Sequence, residues 1–348
     1  MDSPEDLALE AFRSPSDAAA IARPSFAAYP FTLGVASGAP LPTGVVLWTR
    51  LAPEPLNGGG MDPNAVVVRW EVAENEGFAR VVQRGSDDAL PAWAHSVHVE
   101  VTGLEPGRGY FHRCIAGDEV SPTGRTRTAP ASDATPQQLR FGLGSCQHFE
   151  HGYYAAHRHL TAEDLELMVF VGDYIYEGPG DPANVRRHSG GEARTLVQYR
   201  NRHAQYKTDP DLQRLHAAVP WLVTWDDHEV DNDYAGTRSG SLGPEFPLRR
   251  AAAYQAYFED MPLREIARPT AARMVLRSRH NWGGSRASTC STRASAARRR
   301  PARQRAGAVR TGSTTAAANC SRPGGRCSAP LRSAGSPMAW RRPGVPRL

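Results

Sequence analysis

No run of about 18 consecutive apolar residues occurs in the 348-residue chain, so no segment reads as a membrane-spanning helix. The opening stretch, MDSPEDLALEAFRSPSDAAAIARPSF, lacks a basic region followed by an apolar one, so no export signal is legible and the location stays unread. The five cysteines are odd in number, irregular in spacing and without a Cys-x-x-Cys pair, which argues against a disulfide framework or a thiolate zinc site. Three of them, Cys290, Cys320 and Cys327, lie near the C-terminus, leaving Cys114 and Cys146 in the body. Acidic residues stop at Glu265, and from Ile266 onward Lys, Phe and Tyr are absent too. That last part holds 18 arginines, so the first 265 residues carry 23 basic against 36 acidic side chains, a net of −13 inside an overall +5. The basic balance belongs to the tail and the body is acidic.

The rest of the chain is patterned. From Phe31 to about Pro130, β-branched and aromatic runs such as TGVVLWTRL and AVVVRWEVA, and the alternating HSVHVEVTGL, are separated by turn stretches PLNGGGMDPN and LEPGRG. Short strands at this spacing without intervening helices predict an antiparallel β-sandwich over residues 30–130, after an N-terminal extension of residues 1–29. A Pro/Ala/Ser-rich linker, APASDATPQQ, follows. Residues 137–265 then alternate strand with helix, which predicts an α/β layered domain. LRFGLGSC reads as a buried strand, and LELMVFVGD and PWLVTWDDHEVDND as two more. VQYRNRHAQYKTDPDLQRLHAAV reads as helical, and PLRRAAAYQAYFEDMPL as an amphipathic helix. Residues 266–348 lose this pattern, and their Arg, Ala, Ser, Gly and Pro cannot bury enough apolar area to offset the entropy of ordering.

Three strands run into polar clusters: Cys146 in GLGSCQH, Asp173 and Tyr176 in VGDYIYE, and Asp226, Asp227, His228 and Asn232 in TWDDHEVDND. Strand ends of an open α/β sheet border the crevice where ligands bind, so the three can converge. The glycines before Cys146 and Asp173 allow sharp turns that expose the next side chain. Phenolate, thiolate and a bridging carboxylate suit iron, while Asp and Asn oxygens suit Ca²⁺ or Mg²⁺. Such a pair can clamp a phosphate oxygen and acidify a bound water. Taken singly, each residue has a plainer reading. Asp173 can be a turn residue bonding its own backbone, Cys146 a small buried hydrophobe and Tyr176 a core aromatic. The three consecutive ionisable groups of WDDH resist that treatment, because without a cation they repel or desolvate one another.

From about Pro30 to Leu263 the sequence resembles the PhoD-like alkaline phosphatases, calcium- and iron-dependent metallophosphoesterases. The resemblance is carried by FTLGVASGAPLPTGVVLWTRLAP, GLEPGRGYFHRCIAGDEVSPTGRTRTAP, FGLGSCQHFEHGYYAAHRHL, LMVFVGDYIYEG, VPWLVTWDDHEVDNDYAG and RRAAAYQAYFEDMPLR. It implies that Cys146, Asp173 and Tyr176 hold Fe³⁺, that Asp173 is shared with Ca²⁺, and that Asp227 and Asn232 complete the second set of ligands. It implies His228 as the group that contacts phosphate or protonates the leaving alkoxide, and Arg249 as a phosphate contact. The implied reaction is hydrolysis of phosphate monoesters, and of diesters, by a metal-bound hydroxide, on small-molecule or polymeric substrates, in a family typically exported by a twin-arginine signal. Ala39 and Gly109 depart from the family where an acid and an aromatic are usual; both lie in the first domain.

After Met261-Pro262-Leu263-Arg264 the family continues through a Val-Leu-Asp-Thr-Arg-Gln strand and a Gly-Asp-x-His ligand block, neither of which occurs here. Residues 289–295 read TCSTRAS, and one permissible GC-rich coding of them, read one base earlier, gives His-Val-Leu-Asp-Thr-Arg-Gln. The expectation is therefore a reading frame lost between about Trp282 and Thr289, followed by an out-of-frame, disordered tail and an impaired enzyme. The rival reading of the tail is a nucleic-acid arm or membrane-surface patch. The rival reading of the whole chain is a non-catalytic fragment in which the β-sandwich alone acts as a binding module.

Overall fold

Eight strands form within residues 35–127: β1 (Val35–Leu41), β2 (Gly44–Arg50), β3 (Val66–Ala73), β4 (Val81–Ala89), β5 (Ser96–Thr102), β6 (Gly109–Ala116), β7 (Glu119–Val120) and β8 (Gly124–Arg127). The computed structural model describes residues 21–284 and the backbone of residues 289–292. One sheet has the order β4-β3-β6-β7, with β8 also paired to β6. The other contains β5, β2 and β1, all antiparallel. Between them lies an apolar layer, Val45, Leu47, Val97, Val99 and Val101 from one sheet against Val66, Val68, Val72, Tyr110 and Ala116 from the other. Cys114 belongs to that layer as a small hydrophobe, its thiol pKa pushed up to about 12 by burial.

The second part supplies β9 (Phe141–Gly144), α1 (Ala155–Ala162), β10 (Leu167–Val171), α2 (Leu196–Lys207), α3 (Pro210–Ala218), β11 (Trp221–Thr224) and α4 (Phe246–Asp260). A hairpin of β12 (Ser278–Asn281) and β13 (Thr289–Thr292) follows. The helical stretch expected after Val197 is two helices. Asp209 caps the second by accepting from Asp211 N and Leu212 N at 3.0 and 3.2 Å, and Pro210 cannot continue the first. Thr195 and Gln198 close a capping box at the start of α2. Met168 and Phe170 of β10 and Trp221 and Val223 of β11 alternate onto a core shared with Tyr199, Leu212, Leu215, Tyr257 and Phe258.

The linker does not separate two independent sheets. Strand order β5-β2-β1-β11-β10-β9 makes one six-stranded sheet across both parts, with β1, β11, β10 and β9 parallel. Every residue of β2 is buried, because the second sheet covers one face and α2 and α4 cover the other. A first part expressed alone would expose the edge of β1 and the Trp48 face of β2, which counts against the independent-module reading. At the crossing, Gly38 pairs with Trp221. A Cβ on Gly38 would lie 2.4 Å from Pro262 O and 2.8 Å from Trp221 O, both backbone atoms. Gly38→Ala is expected to cost about 2–3 kcal/mol, read as a lower urea midpoint with unchanged slope. A midpoint within error of wild type would show that the two parts do not depend on this contact.

Two expectations need correction. Strand β9 is not buried: it is the sheet edge, with Phe141 52% and Leu143 65% exposed. Its inward residues are Gly142 and Gly144, where a Cβ would meet Met168 Sδ at 2.6 Å and Phe170 Cε2 at 3.0 Å, so the large side chains of β10 cover it. Order also continues past Ile266. Ala267, Leu276 and Trp282 are buried, and Gly284 N donates to Ala134 O at 2.8 Å. These apolar residues are diluted in the composition of the whole tail. The remainder of that tail, and residues 1–20 of the expected N-terminal extension, lie outside the described residues.

Candidate metal and phosphate site

Because β9, β10 and β11 are parallel neighbours, their C-terminal ends open on one edge of the sheet and deliver three loops there. The first two loops are joined: Cys146 N donates to Gly172 O and Gln147 N to Asp173 O, both at 3.1 Å. Cys146 and Asp173 sit in the left-handed region, φ 56° and 55°, which costs a non-glycine residue energy and turns each side chain out of its strand direction. Gly172, at φ 100°, has no room for a side chain, since a Cβ would lie 2.5 Å from Asp226 Cβ where the third loop passes.

Asp173 is buried, and its Oδ2 accepts from Tyr176 Oη at 3.1 Å. Among the described residues nothing hydrogen-bonds its Oδ1, although that atom is buried. The exposed Cys146 thiol is close enough to Asp173 and Tyr176 to feel their charge. Burial, supported by Asp227 and opposed by His228, holds the Asp173 carboxyl above its ordinary pKa. Burial and then the Asp173 charge raise those of Cys146 and Tyr176 as well. Carboxylate, thiol and phenol thus crowd together, each disfavouring ionisation of the others, and a cation is what would relieve all three. Asp173, Asp227 and His228 each place one ligand atom within 4.8 Å of the others.

Buried acids that the sequence motifs passed over hold the loops in place. Glu229 accepts from Tyr174 N at 2.5 Å and Asp226 N at 2.8 Å, fastening the second loop to the third. Burial and then Asp173 push its pKa up to about 8. Glu177 accepts from His228 Nδ1 and Asn232 N, both at 2.8 Å. Burial works to lower the His228 pKa, but Glu177, Asp173 and Asp227 outweigh it and raise the value to about 9. The ring lies against Tyr176, centroids 4.1 Å apart. Asp227 accepts from its neighbour His228 N at 3.1 Å and, through its other oxygen, from Asp233 N at 2.6 Å. Asn232 is exposed on the same loop, its amide donating to Asp233 at 3.4 Å.

Arg249 is placed differently from its expected role. It is 4% exposed and already engaged: Nε donates to Tyr199 Oη at 2.8 Å and Val230 O at 3.1 Å, and Nη1 pairs with Glu192 at 2.7 Å and Asp231 at 3.1 Å. It clamps the third loop from beneath rather than reaching toward a phosphate.

A second group, His148, Glu150 and His188, also brings ligand atoms together. Its hydrogen bonds speak against a metal. Tyr206 Oη accepts from Phe149 N and Tyr176 N, so its own proton goes to His188 Nε2 at 3.0 Å. His188 Nδ1 then carries the ring's proton toward Gly178 O at 3.2 Å, with the Arg202 guanidinium also 3.2 Å away. Burial and Arg202 lower the His188 pKa to about 4, so the ring stays neutral. Glu150 Oε1 accepts from both Asp181 N and His188 N, and Oε2 lies 3.6 Å from His188 Nδ1. The group braces the loop bearing Tyr176.

Comparison with known proteins places both parts of the chain in one family. The sequence family described as PhoD-like phosphatase matches residues 141–305, and the PhoD-like phosphatase N-terminal domain matches residues 16–130. The chain belongs to the PhoD-like phosphatase family. Alkaline phosphatase D of Bacillus subtilis (strain 168) is 54% identical over 269 residues, covering 75% of this chain and 46% of that protein. A solved structure of PhoD superposes with a TM-score of 0.73 at 53% identity, over 75% of this chain and 51% of that one. The chain thus spans about half the length of these relatives. Every candidate ligand of this PhoD-like family member falls within the matched range 141–305.

Proposed function

We propose that the cluster around Asp173 is a metal site for phosphate-ester hydrolysis, with iron held by Cys146, Asp173 and Tyr176 and calcium by Asp173, Asp227 and Asn232. The observation that carries this reading is the buried Oδ1 of Asp173, without a partner among the described residues and close to a thiol, a phenol and a second carboxylate. A buried carboxylate oxygen without a donor is expensive unless a cation completes it. Cations bound there would polarise a phosphoryl oxygen and lower the pKa of a water for in-line attack. Alkaline phosphatase D, the relative named above, supplies the substrate class: phosphate esters.

The chain's own residues have separable tasks. Asp173 and Asp227 present charge from two different strands. His228, its Nδ1 committed to Glu177, has Nε2 left to hold a proton for the departing alkoxide. Glu229, Glu177 and Arg249 keep the loops at the required spacing. The acidic body repels anionic polymers in general, so recognition of a phosphate ester falls to this site and not to overall charge. The partial donor set within residues 146–232 favours weak metal retention and low turnover.

Metal analysis of the full chain tests the reading. Dialysed against buffer that contains Fe³⁺ and Ca²⁺, it is expected to carry both above the buffer blank, and to hydrolyse a chromogenic phosphomonoester slowly. A folded chain that retains neither ion would sink the assignment. The nucleotide sequence across the codons for Trp282 to Ser295 tests the lost-frame reading separately, since the family match runs across that stretch.

A further inference from the structure

We infer that Glu177 is a positioning residue for His228, and that it sets which ring nitrogen faces Asp173 and Asp227. The inference rests on the proposed phosphate-ester site and assigns a role to a residue outside its ligand set. Glu177 is buried and has both oxygens committed: Oε1 accepts from Asn232 N and Oε2 from His228 Nδ1, each at 2.8 Å. A carboxylate only accepts, so the shared proton resides on Nδ1. Nε2 is thereby left on the other side of the ring, and His228 is the ring whose ligand atom lies within 4.8 Å of those of Asp173 and Asp227. The Tyr176 ring, 4.1 Å away, leaves little freedom for the imidazole to turn over. One side chain therefore ties the loop bearing Asp173 and Tyr176 to the loop bearing Asp227 and Asn232, and fixes a tautomer in doing so.

Glu177→Gln distinguishes this role from simple bracing. Asn232 N–H is an obligate donor, so the glutamine must give it the amide oxygen and point its NH₂ group at His228. Nδ1 then has to accept, and the neutral ring must carry its proton on Nε2. The volume and the Asn232 contact are kept, so the fold should survive; Glu177→Asp, a shorter acceptor, serves as the conservative control.

The test is a long-range ¹H–¹⁵N imidazole spectrum of the metal-free full chain, at a pH where the ring is neutral, with His228→Gln to assign the signal. Wild type and Glu177→Asp are expected to show the Nδ1–H tautomer, and Glu177→Gln the Nε2–H tautomer. In the metal-loaded chain, Glu177→Gln should lose about 10²-fold in turnover on an alkyl phosphate and far less on para-nitrophenyl phosphate, whose leaving group needs no proton. An unchanged tautomer in Glu177→Gln, or equal losses on both substrates, would overturn the inference. Absence of turnover in the wild-type chain would count against the proposed function instead, and the tautomer would still decide this contact.

Discussion

Replacing Asp173 with asparagine is expected to stabilise the metal-free chain and abolish its response to metal. The carboxylate is buried, its Oδ1 lacks a partner among the described residues, and Asp227 stands beside it. Burial foremost holds its pKa above the ordinary value of 3.8, so the folded chain keeps a proton that the unfolded chain releases. Stability therefore falls as pH rises from about 3.8 through the raised value, and at neutral pH the ionised group is a cost. Asparagine has the same shape without the charge and can still accept from Tyr176. A gain of about 1–2 kcal/mol, a few degrees in the chelated unfolding midpoint, is expected. With Ca²⁺ and Fe³⁺ present the order reverses: wild type gains stability by mass action and the variant does not. Any phosphomonoesterase activity should drop by about 10²-fold or more. A variant less stable than wild type in chelator, yet still stabilised by metal, would remove Asp173 from the site.

The cluster of candidate ligands is legible in the sequence because its signal is local. Cys146, Asp173 and the WDDHE stretch each follow an apolar strand, and parallel pairing of β9, β10 and β11 brings three such ends together. The left-handed backbone of Cys146 and Asp173 was foreshadowed by the glycines before them, although Gly144 proves to matter for packing against Phe170 and only Gly172 for the turn. The phosphate role that the resemblance implies for Arg249 does not follow from its local sequence, because the groups that bury it, Glu192, Tyr199 and Asp231, come from other loops and another helix. Glu177 and Glu229 were passed over for a related reason. Nothing in YIYEG or DHEVD says that these acids will be buried and will accept backbone N–H groups from 55 residues away.

The same limit applies to the fold. Alternation and turn chemistry locate β2, β3 and β5, and the strand-to-helix change after the linker marks a new region. That β1 continues the sheet of β11 is decided by one pairing, Gly38 with Trp221, between strands on opposite sides of the linker. A glycine in a strand signals a close approach of backbone but not to what.

That junction also carries the largest stability effects expected for the chain, and they have opposite signs. Arg50 of β2 and Asp260 at the end of α4 form an ion pair at 3.1 Å, both side chains fully buried. Arg50 also donates to Ala94 O at 3.2 Å, and neighbouring Trp48 donates to Glu259 O at 2.9 Å. Truncating one partner of such a pair leaves the other charged and unpaired, so Arg50→Met should cost about 3–5 kcal/mol. Beside the pair lies Lys207, the chain's one lysine. It is 1% exposed, its Nζ without a hydrogen bond among the described residues and 4.2 Å over the Trp48 ring. Burial, with Arg50 adding to it and Asp260 opposing, lowers its pKa to about 7. Between about 7 and 10.5 the unfolded chain binds this proton and the folded chain does not, so stability rises with pH across that window. At pH 7 most of that contribution is missing, and Lys207→Met, which keeps the stem over Trp48, should raise stability by about 3 kcal/mol and flatten the slope. His203 and His216, which also feel Lys207, are held well below their ordinary values by burial and stay neutral throughout the window. Urea melts of both variants at pH 7 and 9.5 measure these effects, and amine acetylation reports Lys207 directly because no other lysine competes. If Lys207→Met destabilised the chain at pH 7, the amine would have to be a working member of the Arg50–Asp260 cluster rather than a burden on it.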